Sequence, residues 1–282
     1  MEVRAKKSLG QHFLTDQSIA QRIVATLSDG SPSDVRDVLE IGPGMGVLTQ
    51  YLLKREDIDL RAVEVDGESV DYLLTHFPGI EGKLLQADYL RLDMHRVFPG
   101  PYRVIGNFPY NISSQIFFKI LDDKDRIPEV VCMIQKEVAE RIAEKPGSKT
   151  YGILSVLLQA WYDIEYCFTV GSGAFAPPPK VQSAVIRLTR NCRTDLGCDE
   201  KFFKTVVKTA FNQRRKTLRN SLKPLITERL SATIPLHPQG TGGVPPETPC
   251  LDKQWLDNLL DLRAERLSVE DFVLLTKALL EL

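Results

Sequence analysis

Over the first two thirds of the chain, short apolar runs alternate with stretches of helical periodicity. Residues 37–41, 60–66, 82–87, 102–106 and 129–134 are apolar enough, and short enough, to read as buried strands. Between them the 3.6-residue spacing predicts helices. One starts near Asp16 and turns Ile19, Ile23, Val24 and Leu27 inward; others cover residues 47–53 and about 67–77. A further helix is capped by Ser113 or Ser114 and buries Ile116, Phe117, Ile120 and Leu121, and the next starts at Gln135. A buried helix over 151–160 precedes two strands, 161–170 and 180–188, expected as an antiparallel pair at one side of an otherwise parallel sheet. The polar stretch 189–199 carries no strong pattern and marks a boundary. Only helices follow, over 200–211, 214–228, 252–262 and 268–281, interrupted by a Gly- and Pro-rich surface loop at 235–249. The expected architecture is an α/β domain over residues 1–190 and a smaller all-helical domain over 198–282.

The strand ends carry the chemistry. After the first strand comes Gly42-Pro43-Gly44-Met45-Gly46 and then a helix, a layout in which glycines let backbone approach a ligand and aim a helix N-terminus at it. The next strand ends at Glu64, placed to accept both hydroxyls of a ribose, while Asp66 suits a helix N-cap. The third closes on Asp88, positioned to bond an adenine amino group. The fourth runs into Asn107-Phe108-Pro109-Tyr110, which offers a carboxamide, an unpaired backbone carbonyl and a flat ring to a planar substrate bearing an amine. Taken alone the tetrapeptide reads equally well as a strand followed by a proline turn. Four glycine or polar features on one carboxyl rim favour a site. Ahead of the first helix, the basic arm from Lys6 to Leu14 reads either as a frayed terminus or, since His12, Phe13 and Leu14 are large for a frayed end, as a segment packed over a ligand. Phe175 sits in a loop stiffened by Pro177-Pro178-Pro179.

Composition narrows the class without choosing a function. With 43% hydrophobic and 26% charged residues the chain reads as a soluble globular protein. Neither a signal peptide nor a membrane-length apolar run is present in the sequence, so a cytoplasmic location is expected. The five cysteines form no CxxC pair, which argues against a zinc site and a disulfide framework; no metal is expected. Net charge is −1, yet residues 201–223 hold eight Lys or Arg and no acid. Such a run reads equally as a solvated helix face; the resemblance described below makes it the candidate contact for RNA phosphates, with Lys208, Arg214, Arg215, Lys216 and Arg219 as its members.

Taken together, Gly10-Gln11-His12-Phe13-Leu14, Leu39-Glu40-Ile41-Gly42-Pro43-Gly44, Glu64-Val65-Asp66, Gln86-Ala87-Asp88, Gly106-Asn107-Phe108-Pro109-Tyr110-Asn111-Ile112-Ser113, Gln135-Lys136-Glu137-Val138, Phe175-Ala176-Pro177-Pro178-Pro179-Lys180-Val181 and Ala210-Phe211-Asn212-Gln213-Arg214-Arg215-Lys216 resemble the KsgA-type rRNA adenine N6-dimethyltransferases in order and over nearly the whole chain. The resemblance implies a Rossmann-like methyltransferase domain that uses S-adenosylmethionine, followed by an RNA-binding helical domain. It implies dimethylation of two adjacent adenosines near the 3′ end of small-subunit (16S) rRNA, within the pre-small ribosomal subunit, by a monomer. His12, Leu14, Gly42 and Gly44 would line the methionine side of the cofactor, Glu64 its ribose, Asp88 its adenine, and Asn107 would sit between cofactor and substrate. Relatives often carry Asn where this chain has His12. Asn107 and Pro109 would accept the hydrogens of the adenine amine, with Tyr110 and Phe175 stacking on the two faces of the base. Two other readings share these motifs: a large-subunit rRNA dimethyltransferase of the macrolide-resistance type, and a non-catalytic RNA-binding assembly factor.

Overall fold

The computed structural model describes residue 6 and residues 10–29, 34–232 and 253–281. By contacts the chain divides into two compact units: Met1–Ala143 with Trp161–Asn191, and Glu144–Ala160 with Cys192–Leu282. The expected loop at 235–249 lies outside the described residues.

The first unit is built on a seven-stranded sheet. Its strands are β2 (Asp37–Ile41), β3 (Asp59–Glu64), β4 (Leu84–Gln86), β5 (Arg103–Asn107), β6 (Glu129–Gln135), β7 (Tyr162–Val170) and β9 (Ser183–Arg190), in the order β4-β3-β2-β5-β6-β9-β7. The five strands from β4 to β6 are parallel, and β9 and β7 close the sheet as an antiparallel pair. Central strands covered on both faces need apolar side chains at every position. Val130, Val131, Cys132, Met133 and Ile134 of β6 accordingly have no exposed surface. Because β2 pairs with β3 on one side and β5 on the other, the order reverses at β2 and β5. In open α/β sheets the crevice at such a reversal, beyond the strands' carboxyl ends, is where ligands bind.

Helix α1 (Gln17–Thr26) precedes β2, and α2 (Thr49–Leu52), α3 (Gly67–His76), α4 (Ser113–Asp122) and α5 (Lys136–Ala143) follow β2, β3, β5 and β6. Asp16 caps α1 by accepting from the N–H groups of Ser18 and Ile19. Elsewhere local signals were overridden. The helix expected over 47–53 is a single turn, since residues 44–48 are spent on the glycine turn. Ser113 is the first residue of α4 and not its cap: Ile112 holds that position, and the Ser113 hydroxyl donates to Tyr110 O. Asp66 is the N-cap of α3, but its carboxylate accepts from Ser69 and Lys6 in place of the helix N–H groups.

A second, two-stranded sheet joins β1 (Phe13–Leu14) to β8 (Phe175–Ala176), pairing Phe13 with Ala176 and Leu14 with Phe175. This antiparallel pair straps the N-terminal arm onto the proline loop. At the opposite, amino edge of the sheet, fully buried Arg103 donates to Ser28 O, and Glu129 accepts from the Ser28 hydroxyl and pairs with Arg187. These bonds fix the end of α1 beneath β5, β6 and β9.

The second unit is helical: α6 (Ile153–Gln159), α7 (Glu200–Asn212), α8 (Leu218–Ser221), α9 (Lys223–Ala232), α10 (Lys253–Leu260) and α11 (Val269–Leu280). Phe203, Val206, Val207 and Ala210 of α7 meet Phe272, Leu275 and Leu279 of α11 in its core, with the Phe211 ring 5.9 Å from Phe272 and 6.3 Å from Tyr151. Helix α6 is apolar on most of its surface and spends that surface on α7 and α11, so residues 144–160 stand with this unit, although the sequence boundary at 190 left them in the α/β domain. The continuous helix expected over 214–228 is absent. Residues 213–216 are all exposed and polar, offer no face to bury, and form a turn between α7 and α8. Among the described residues no helix is long and apolar enough to cross a membrane, and no cluster of three His, Cys, Asp or Glu is placed to hold a metal ion.

Candidate active site

A cavity of about 280 Å³ opens at the carboxyl ends of β2, β3 and β5, in the first unit. Its wall includes His12, Leu14, Gly42, Gly44, Glu64, Asp88, Asn107, Pro109 and Tyr110, so all the residues assigned from sequence to cofactor and acceptor, except Phe175, come together there. Phe175 is 4% exposed, packs in the core cluster with Leu14, Ile23 and Met133, and lies outside the wall. Pairing with Leu14 turns its side chain inward; the proline loop presents backbone to the arm and keeps the ring in the core.

The glycine turn is held by Glu64. One carboxylate oxygen accepts from Gly44 N at 3.0 Å and the other from Val65 N and Asp66 N, each at 2.9 Å. Burial pushes this carboxyl up from its ordinary range, and the three N–H bonds oppose the shift. Gly44 has φ +56°, and a Cβ there would stand 3.0 Å from the Phe13 ring, so the arm closes directly on the turn. On the far side Asp88 accepts from Leu90 N at 2.9 Å, and its second oxygen stands 3.6 Å from Arg91 Nε.

Sequence patterns did not single out Glu40. It lies between Leu39 and Ile41 in β2, is fully buried in the cavity wall, and accepts the Thr49 hydroxyl at 2.7 Å. Burial above all, and then the neighbouring Glu64, push its carboxyl up to about 8. An acid inside an otherwise apolar strand was the available signal. Lys6 is a second unassigned participant: its ammonium bonds Asp66 and Glu68 and ties the arm to the start of α3.

At the end of β5 the backbone is set by close packing. Gly106 lies against β2, where a Cβ would meet Ile41 O at 2.6 Å. Phe108, 1% exposed, anchors the tetrapeptide with its ring edge-on to Phe117 of α4 at 5.9 Å. This leaves Asn107 at the rim. Its Nδ2 donates to His12 O at 3.2 Å, while its Oδ1 is buried with no partner. A buried amide oxygen without a donor is costly and calls for one from a ligand or water. Pro109 O accepts from Ile112 N at 3.2 Å and keeps a second lone pair. The Tyr110 hydroxyl is hydrogen-bonded to buried Ser183, and its ring carries the His12 imidazole in a stack at 5.5 Å.

Within the second unit, Arg214, Arg215 and Lys216 are exposed on the turn after α7, with Arg214 donating to Tyr151 O at 3.4 Å, and Lys208 is exposed on α7 itself. Arg219 differs. Its guanidinium pairs with Asp261 at 2.9 Å and Asp257 at 3.2 Å, so acids distant in sequence neutralise a charge that seemed unopposed in its own segment.

Comparisons with known proteins agree with this geometry. Ribosomal RNA small subunit methyltransferase A of Parabacteroides distasonis is 58% identical over 274 residues, covering 97% of this chain and 93% of that protein. The protein of the same name in Bacteroides thetaiotaomicron is 54% identical over 275 residues, with coverage of 97% and 93%. Among solved structures, a dimethyladenosine transferase from Plasmodium falciparum superposes with a TM-score of 0.74 at 22% identity, over 96% of this chain and 98% of that one, and so shares the fold. Residues 2–236 match the family described as Ribosomal RNA adenine dimethylase, and the chain belongs to that family.

Proposed function

We propose that this chain transfers methyl groups from S-adenosylmethionine to the N6 amine of adenosines in small-subunit rRNA, two methyls to each, as a monomer in the cytoplasm acting on the pre-small subunit. The observation that carries the reading is the buried, unpartnered Oδ1 of Asn107 at the sheet's reversal point, beside Glu64 and Asp88 in one cavity. The names of relatives more than half identical to it favour the small subunit over the large.

The wall residues fit the cofactor. Glu64 is already oriented by three backbone donors and retains lone pairs for ribose hydroxyls; Asp88 offers an acceptor to the adenine amine; Gly42, Gly44, Leu14 and the arm at His12 border the methionine end. When bound, S-adenosylmethionine supplies an electrophilic methyl on its sulfonium. The acceptor amine is a poor nucleophile because its lone pair is delocalised into the purine. In the first transfer Asn107 Oδ1 and the free lone pair of Pro109 O accept its two hydrogens, which favours a pyramidal nitrogen with electron density returned to it; for the second the one remaining hydrogen is accepted, and each transfer releases one proton to solvent. His12 O fixes which end of the Asn107 amide faces the base. Stacking on Tyr110 offsets the loss of the adenine's own stack, a few kcal/mol. Positioning accounts for most of the acceleration. In the second unit, Arg214, Arg215, Lys216 and Lys208 are proposed to contact RNA phosphates.

The test is incubation with methyl-labelled S-adenosylmethionine and, in parallel, under-methylated small subunits and immature large subunits, followed by mapping of the modified base. N6,N6-dimethyladenosine in the small-subunit RNA is the expected product. Label appearing only in large subunits would select the macrolide-resistance type of activity, and binding without transfer would select the assembly factor.

A further inference from the structure

His12 touches three parts of the rim at once. Its backbone oxygen accepts from Asn107 Nδ2 at 3.2 Å, and its Nδ1 lies 2.9 Å from Pro177 O. A carbonyl only accepts, so Nδ1 is the protonated nitrogen. Its ring stacks on Tyr110 with centroids 5.5 Å apart and planes 28° from parallel. Tyr110 cannot swing away without losing the bond between its hydroxyl and Ser183, which is fully buried. Both rings line the cavity that Asn107, Pro109 and Ile112 also border.

A flat heteroaromatic ring on Tyr110, with one N–H given to a backbone carbonyl, is the arrangement a stacked base would adopt. A purine on that face needs ring contact at van der Waals distance, and a ring already stacked there leaves no room for it. We infer that His12 is a stand-in for the acceptor base: its imidazole fills the stacking face of Tyr110 until RNA arrives, and the adenine enters by exchange with it. The inference rests on the proposal that Tyr110 stacks on the acceptor adenine. It gives the His12 side chain a role at the acceptor, while its backbone remains the support of Asn107. Displacing His12 costs the same for every ring that enters, so His12 sets the threshold for entry and leaves the ranking of bases to their own contacts. Asn at this position would keep the backbone bond and remove the competitor.

The experiment uses the full chain saturated with S-adenosylhomocysteine and a small-subunit rRNA hairpin with 2-aminopurine in place of the acceptor adenine. Fluorescence reports unstacking from the RNA and then quenching on the protein ring. Removing one aromatic stack and one neutral hydrogen bond from the competing state should tighten binding by roughly 5- to 150-fold in His12→Ala and His12→Asn, with deeper quenching. His12→Phe, which keeps a competing ring, should bind no tighter than the unaltered chain. Weaker or unchanged binding by both His12→Ala and His12→Asn overturns the inference and places the imidazole behind Tyr110, as its support. Tyr110→Ala separates the two levels. Unchanged quenching in that variant would show that Tyr110 is not the stacking surface, which overturns the acceptor reading together with the inference.

Discussion

Thr49 donates its hydroxyl to Glu40 at 2.7 Å, which holds a fully buried carboxyl in the cavity wall beside Glu64. The Glu40 carboxyl titrates near 8 in the folded protein against an ordinary value of 4.5. Between these values the unfolded chain has lost the proton and the folded chain retains it. Stability contributed by this group is therefore full below about pH 4.5, falls as pH rises, and is lost above about pH 8, for a total of at most roughly 5 kcal/mol. Glu40→Gln keeps an acceptor for Thr49 and removes the titration. Urea unfolding at about pH 5 and about pH 8 should show a smaller drop in the variant than in the unaltered chain; equal drops would assign the slope to other groups.

Glu64 accepts from Gly44, Val65 and Asp66, and the same carboxylate is the one proposed to hold the cofactor's ribose. Glu64→Ala should weaken S-adenosylmethionine binding roughly 10- to 100-fold, the range for hydrogen bonds to a charged group, and should also loosen the glycine turn. Calorimetry reads the affinity, and an unchanged Kd would remove Glu64 from the ribose site.

For Asn107 the expected split is between binding and chemistry. Asn107→Ala removes the buried Oδ1 proposed to accept from the amine and leaves Glu64 and Asp88 in place. Cofactor binding should persist while methyl transfer falls roughly a hundredfold or more, the scale seen for a single oriented polar group at a reacting centre. Turnover at the unaltered rate would refute the amine geometry.

Charges in the second unit separate into two kinds. Replacing Arg214 and Arg215 with Ala should weaken RNA binding and make the slope of log K against log salt shallower by about 1 to 2. Arg219→Ala should change that slope less, because Asp257 and Asp261 already neutralise it. A larger change from Arg219 than from the pair would reverse the assignment.

Gly106→Ala should destabilise the first unit by about 1–3 kcal/mol, since a Cβ would stand 2.6 Å from Ile41 O and the two strands must move apart. Thermal unfolding checks this, and a variant as stable as the unaltered chain would mean that β2 and β5 accommodate the methyl.

Much of the first unit was legible because its determinants are local. Apolar runs short enough for strands, glycines at a sharp turn and an acid or amide at each strand end are properties of neighbouring residues. In a parallel sheet such ends share one rim by construction, so Gly42, Glu64, Asp88 and Asn107 were brought together by the reading of separate segments. Phe108, whose role no local pattern explained, needs Phe117 for its account.

What the sequence by itself determined is the periodicity of each element and the kind of chemistry at each strand end, because side-chain spacing and backbone freedom act over a few residues. Only the tertiary structure decided the rest. Pairing of Leu14 with Phe175 buried a ring expected at the base, α6 joined the helical unit because its apolar surface finds cover there, and Asp257 and Asp261 took the charge of Arg219. It also laid the His12 imidazole on Tyr110 and left Asn107 Oδ1 without a partner. Contacts of this kind are selected by burial and by satisfaction of polar groups across the whole fold, and spacing along the chain carries no record of them.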